Sequence, residues 1–262
     1  MTEPAPVTLT PAREGIATLL LDRPQRRNAL TRAMWGAIPG LLEQAAADPA
    51  VKVLLVRGAG GCFAAGADIA EFRTALADRA GAEAYAGDIA RAMDGLADFP
   101  KPTLALIEGA CVGGGMGLAL ACDLRFAAED ARLGITPARL GLLYPLGDTR
   151  RLVEAVGAAT AKDLLFTGRL LGAAEARDLR LVDRVHPRAA LEAAVLAYAA
   201  EITAASQWTV RQTKAMIRRI LAGQRHDDAE TLAMFLDTVE GADFQEGWHA
   251  FLDKRPPRFP FV

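Results

Sequence analysis

The chain has 262 residues, 52% apolar and 24% charged, enough for one large domain or for one domain with a small appendage. With 30 basic against 32 acidic side chains the formal net charge is −2, which argues against a nucleic-acid binder, whose basic face must neutralise phosphates. Cys62, Cys111 and Cys122 form no C-x-x-C pair, Met1 to Pro11 lacks the basic start and apolar run of a leader, and no apolar stretch spans a bilayer, so the expectation is a cytoplasmic protein without zinc, disulfides or membrane contact.

In chain order, residues 15–21 read as a strand stopped by Asp22-Arg23-Pro24. Thr31 then N-caps a predicted helix to about Ala47, with Met34, Ile38, Leu41 and Leu42 at helical spacing and Pro39 expected to kink or interrupt it. Residues 51–56 predict a buried strand, followed by a glycine-rich loop over 58–66 and helices over 68–78 and 83–96. A third buried strand is expected over 103–107, running into Gly113-Gly114-Gly115 and a helix to Cys122. Strands over 124–127 and 132–135 follow. Beyond Asp148 the pattern is helical throughout, in pieces over 149–157, 159–166, 173–180, 188–205, 207–222, 227–240 and 243–253. Strands and helices alternate first and helices alone follow. This predicts an α/β core over 1–200 with a C-terminal helical region over 201–262.

Two segments carry chemistry. Residues 60–69 (GGCFAAGADI) and 108–117 (EGACVGGGMG) each lie between a predicted strand and a predicted helix. Small residues let a ligand approach the backbone closely, and a helix start leaves N–H groups unpaired. Two such loops converging would offer two N–H donors to one anionic oxygen; either alone could be only a tight turn. The triple glycine does not open a dinucleotide site, because Leu118 stands where G-x-G-x-x-G needs its last glycine. His186, His226 and His249 have no visible partners for a catalytic role, and the cysteines are expected to be small buried residues.

Several of these motifs occur together. Leu21-Asp22-Arg23-Pro24 with Arg27-Asn28-Ala29-Leu30, then residues 63–68 (FAAGAD), then 109–115 with Ala121-Cys122-Asp123, then 165–169 (LFTGR) and 251–255 (FLDKR) appear in order. Together they resemble the crotonase (enoyl-CoA hydratase/isomerase) superfamily over residues 12 to 258. The resemblance implies a spiral of ββα turns whose C-terminal helices build a homotrimer or a homohexamer. It implies an acyl-CoA substrate, with coenzyme A entering as part of that substrate and no permanently bound cofactor or metal. By match of position, the N–H groups of Ala67 and Gly114 would hold the thioester oxygen. Backbone groups of Ala29 and Ala65, with the loop at Asp68 and Ile69, would line the CoA path. Arg27 would sit near a CoA phosphate, and Phe251 and Lys254 would reach CoA of the same or a neighbouring subunit.

The sequence departs from the hydratases of this superfamily at two positions. Where they resemble one another in carrying two glutamates, this chain has Gly117 and Pro137, and neither residue can transfer a proton. Chemistry that needs an enolate-stabilising site without a carboxylate base is therefore favoured, such as loss of CO2 from a malonyl-type thioester. Residues 135–144 (ITPARLGLLY) are similar to the matching stretch of methylmalonyl-CoA decarboxylase, which makes Tyr144 a proton or hydrogen-bond donor and Thr136 a group that orients the leaving carboxylate. The decarboxylase carries His where this chain has Ala67. Asp148 is either the N-cap of the next helix or a proton shuttle for double-bond isomerisation, with Glu71 and Arg139 ranked behind it. A CoA-binding protein without activity is the third alternative.

Overall fold

A computed structural model of the protein describes residues 6–261. Residues 1–5, part of the stretch read above as lacking a leader, lie outside the described residues. The chain opens on a strand absent from the sequence reading. β1 (Val7–Arg13) pairs antiparallel with β2 (Ile16–Leu21), and the register shifts between Thr10 and Arg13 around Pro11. A proline interrupts the ladder there, which only an edge strand tolerates, and it hid the strand's alternation.

α1 (Arg32–Ala47) starts where expected, with the Thr31 side chain accepting from Met34 N. It runs through Pro39 without ending. Met34, Trp35, Ile38, Leu42 and Ala45 form one buried face on both sides of the proline. Burial of that face outweighs the ~3 kcal/mol that an interior proline costs. β3 (Val53–Gly58) lies parallel to β2. The helix expected over 68–78 is instead a 3-10 turn and one short helix, α2 (Phe72–Ala75). Asp78 ends that segment as the N-cap of α3 (Arg79–Ala97), accepting from Gly81 N.

Next come β4 (Thr103–Ile107), β5 (Ala110–Val112), α4 (Gly114–Leu120), β6 (Leu124–Ala128) and β7 (Arg132–Gly134). α5 (Leu146–Thr167) is broken at Gly157, whose φ of 78° is left-handed. β8 (Leu170–Gly172), α6 (Ala173–Asp178) and β9 (Arg184–His186) follow, then α7 (Arg188–Ala204), α8 (Gln207–Leu221), α9 (Ala229–Glu240) and α10 (Ala242–Leu252). β5, β8 and β9 are three residues each, too short to show a period of two, so the sequence reading passed over them.

The strands form two sheets. One has the order β1-β2-β3-β4-β6-β9, parallel from β2 onward. The other is β5-β7-β8. The chain leaves the large sheet at β4 and β6 to add β5 and β7 to the small one. Parallel single bridges Leu30–Ala67 and Ala64–Cys111 extend the small sheet backward, so earlier turns of the spiral contribute only one residue each. Both faces of β3 and β4 are buried, as their unbroken apolar runs require. Leu54, Val56, Ala105 and Ile107 face the main core with α1 and α3. Val53, Leu55, Leu104 and Leu106 face Leu191, Val195 and Ala199 of α7.

Candidate active site

The site lies where the two glycine loops meet, beside those single bridges. The first loop is fixed by backbone pairing on both sides. Ala64 N donates to Ala110 O at 2.9 Å and Val112 N to Ala64 O at 3.0 Å. Leu30 N donates to Gly66 O at 2.7 Å and Asp68 N to Leu30 O at 2.9 Å. Ala67 N, between these pairs, donates to no protein acceptor among the described residues, and neither does Gly114 N at the start of α4. The two segments touch. A Cβ built on Gly114 would lie 3.6 Å from Ala67 N, and one built on Gly66 would lie 3.7 Å from Gly114 N and 3.0 Å from Val112 O. Gly66 also has a φ of +107°, so glycine is required there on two counts. Two adjoining segments thus each leave one N–H without a protein acceptor; two such donors on one oxygen would stabilise negative charge building on it.

Asn28 holds the first loop from beneath and is fully buried at a φ of 54°. Its Nδ2 donates to Ala59 O at 2.9 Å and to Cys62 O at 2.5 Å, and its Oδ1 accepts from Arg23 N at 2.8 Å. The sequence reading quoted Asn28 only as part of a motif. Its unusual backbone and this bonding could be inferred only with the loop in place.

Three residues along α4 from Gly114, a Cβ built on Gly117 would stand 2.9 Å from the Tyr144 hydroxyl, 2.8 Å from Met93 Cε and 3.7 Å from the Asp148 carboxyl carbon. The Tyr144 hydroxyl also lies 3.4 Å from Gly113 O, to which it donates. Burial, then the nearby Asp148 charge, raises the Tyr144 hydroxyl well above its ordinary value of 10.0, so it stays protonated. Asp148 is 4% exposed, and burial raises its pKa against the pull of Arg151, whose Nη2 donates to it at 2.7 Å. Arg151 also reaches Asp94 at 3.0 Å. The N-cap alternative for Asp148 fails, because α5 begins two residues earlier with Pro145 as its cap. Arg151, Asp94 and Met93 were not singled out, since nothing in their local sequence ties them to the glycine loops.

The other candidates are spread out. Thr136 is half-buried before the 3-10 turn Pro137–Leu140, and its side chain makes no hydrogen bond to Tyr144. Arg27 is exposed with a φ of 51°, its carbonyl accepting from Ala65 N at 2.9 Å. Ala29 and Ala65 are half-buried along the same edge, and Ile69 is exposed beside them. The Asp68 carboxylate is occupied by Arg23 at 2.6 Å and by Ala70 N at 3.1 Å, and the Arg23 bond holds its pKa below 3.8. Phe251 and Lys254 are exposed at the end of α10, which packs on α9, and the structure does not bring them to the amide pair. Among the described residues no group of three or more His, Cys, Asp and Glu could hold a metal ion, and no single helix is long and apolar enough to cross a membrane.

Comparison with known proteins agrees with this architecture. The family model described as enoyl-CoA hydratase/isomerase matches residues 11–260. A mouse protein named enoyl-CoA hydratase domain-containing protein 2, mitochondrial, is 39% identical over 261 residues, covering 96% of this chain and 86% of that protein. A crystal structure of an enoyl-CoA hydratase/isomerase family protein from Hyphomonas neptunium is 48% identical, with a TM-score of 0.96 over 99% of this chain and 100% of that one. A Bacillus anthracis enoyl-CoA hydratase structure is 30% identical, with a TM-score of 0.90 over 98% of this chain and 100% of that one. From its motifs, its two-sheet spiral and these matches, the chain belongs to the enoyl-CoA hydratase/isomerase family of the crotonase superfamily.

Proposed function

We propose that the protein binds an acyl-CoA thioester, holds its carbonyl oxygen on the amides of Ala67 and Gly114, and stabilises the enolate formed when a malonyl-type substrate loses CO2. The carrying observation is the Tyr144 hydroxyl, 2.9 Å from where a side chain at residue 117 would begin. The place of a proton-transferring carboxylate is taken by a protonated phenol. In the proposed step the bond between the α-carbon and the carboxylate breaks, CO2 leaves, and its electron pair passes into the thioester enolate. The phenol then gives its proton to the α-carbon, and water restores that proton. An enolate carbon is much more basic than a phenolate, so the transfer runs downhill. Thr136 orients the leaving carboxylate.

Backbone groups at Ala29, Ala65, Asp68 and Ile69 line the CoA path in this reading, with Arg27 near a phosphate. Phe251 and Lys254 serve a neighbouring subunit. Exposed Ile217, Ile220, Phe235 and Leu236 on α8 and α9 support a trimer or hexamer, because a lone subunit would leave this apolar surface in water.

A second reading rests on Asp148. Its buried carboxyl carbon lies 3.7 Å from the same point, and its raised pKa suits a group that takes and returns a proton, as in double-bond isomerisation. Assays of the purified protein with methylmalonyl-CoA, a β,γ-unsaturated acyl-CoA and crotonyl-CoA separate the readings. CO2 release supports the first and isomerisation the second. Rapid hydration of crotonyl-CoA with no CO2 from malonyl thioesters overturns the first, and an unchanged β,γ-unsaturated acyl-CoA overturns the second.

A further inference from the structure

Arg125 and Arg151 are equally buried, each 8% exposed, yet their guanidinium groups are used differently. Arg125 ties the backbone together, donating from Nε to Leu181 O and from Nη1 to Cys122 O, both at 3.1 Å, besides pairing with Asp183. Arg151 bonds no backbone carbonyl among the described residues. Its Nη2 donates to Asp148 Oδ1 at 2.7 Å, its Nη1 to Asp94 Oδ1 at 3.0 Å, and its buried Nε has no acceptor. Two carboxylates are therefore all that hold this guanidinium.

Those carboxylates stand in unlike surroundings. Asp94, on α3, is exposed, whereas Asp148 is buried. Asp148 and Arg151 are three residues apart at the start of α5, so their side chains share one face of the helix. The guanidinium fork is planar and its donors are fixed relative to one another, so anchoring Nη1 on Asp94 sets where Nη2 holds Asp148. An ammonium on a flexible stem has no such fork.

The carboxylate held in this way lies beside Tyr144, as the distances from Gly117 show. Burial pushes Asp148 toward its neutral form and Arg151 pulls it back toward the charged one. Asp94 and Tyr144 are the other titratable groups facing it, and α4, packed on α5, contributes none. Cys111, which also acts on Tyr144, is a buried thiol whose pKa is raised, so it stays uncharged.

We propose that Arg151, anchored on Asp94, is a positioning residue that keeps the Asp148 carboxylate charged and fixed beside Tyr144, ready to take a proton from bound substrate. This rests on the reading in which Asp148 takes and returns a proton.

The test uses Arg151→Gln, which removes the charge, and Arg151→Lys, which keeps the charge and loses the fork. The Asp148 carboxyl is followed by carbon-13 NMR of aspartate-labelled protein, its resonance identified by its loss in Asp148→Asn. Isomerisation of but-3-enoyl-CoA is followed across the same pH range. In Arg151→Gln the carboxyl should titrate about 1–3 pH units higher than in wild type, and the acid limb of kcat should move up with it while KM is kept. Arg151→Lys should show a smaller shift in the same direction, which keeps the test open if Arg151→Gln does not fold. A titration unmoved by Arg151→Gln, or an Arg151→Lys variant that matches wild type in both titration and kcat, overturns the proposal. If wild type leaves but-3-enoyl-CoA unchanged while the titration shifts as expected, the proton-transfer reading fails and the hold of Arg151 on the carboxylate stands.

Discussion

The hydroxyl of Tyr144 occupies the space that a side chain at Gly117 would need, at 2.9 Å from its first carbon. The two residues are 27 apart in sequence, and each accounts for the other. Glycine at 117 admits the phenol, and in the proposed reaction the phenol supplies the proton that glycine cannot. If Gly117 is small for this reason, Gly117→Ala should crowd the phenol and Met93 Cε and destabilise the protein by about 1–3 kcal/mol in urea titrations. Adding Tyr144→Phe should restore part of the loss. Simple additivity in the double-mutant cycle would show that the two sites do not share this space.

Tyr144→Phe alone tests the chemistry. With the phenol as proton donor, turnover of a malonyl-type thioester should fall by about 100- to 10,000-fold while CoA affinity is kept. Unchanged turnover would remove Tyr144 from the reaction.

Gly114 permits a test of the amide pair without touching a side chain that does chemistry. Gly114→Pro deletes the N–H at the first position of α4, where a helix accepts proline. Gly114→Ala keeps the N–H but makes the same first contact with Trp35, so it serves as the control. The proline variant should lose about 100- to 1000-fold in kcat relative to the alanine variant.

Asn28→Ala should leave the carbonyls of Ala59 and Cys62 without their donor beneath the loop. A loss of about 2–4 kcal/mol in unfolding free energy is expected, together with reduced turnover.

Asp68 predicts a pH dependence. Its folded pKa lies below 3.8, so the unfolded chain binds its proton first as pH falls. The stability it contributes is complete above that ordinary value and is lost as pH drops through the depressed folded one. The Tm difference between wild type and Asp68→Asn should therefore be constant near neutrality and shrink below pH 3.8. A difference that grows on acidification would contradict the Arg23–Asp68 pairing.

The sequence alone determined the parts set by local chemistry. The apolar runs within 51–56 and 103–107 read as buried strands, Thr31 marked a helix start, and the helical pattern was divided at 157–159, because caps and periodicity act within a few residues. The two glycine loops were legible as places where N–H groups go unpaired. Tertiary structure alone decided what depends on residues distant along the chain. β5, β8 and β9 exist only because neighbouring turns of the spiral supply their partners. α1 survives Pro39 because its apolar face is buried on both sides of it. The meeting of Ala67 with Gly114 and of Tyr144 with Gly117 was set by packing, which brings together atoms that no local pattern relates.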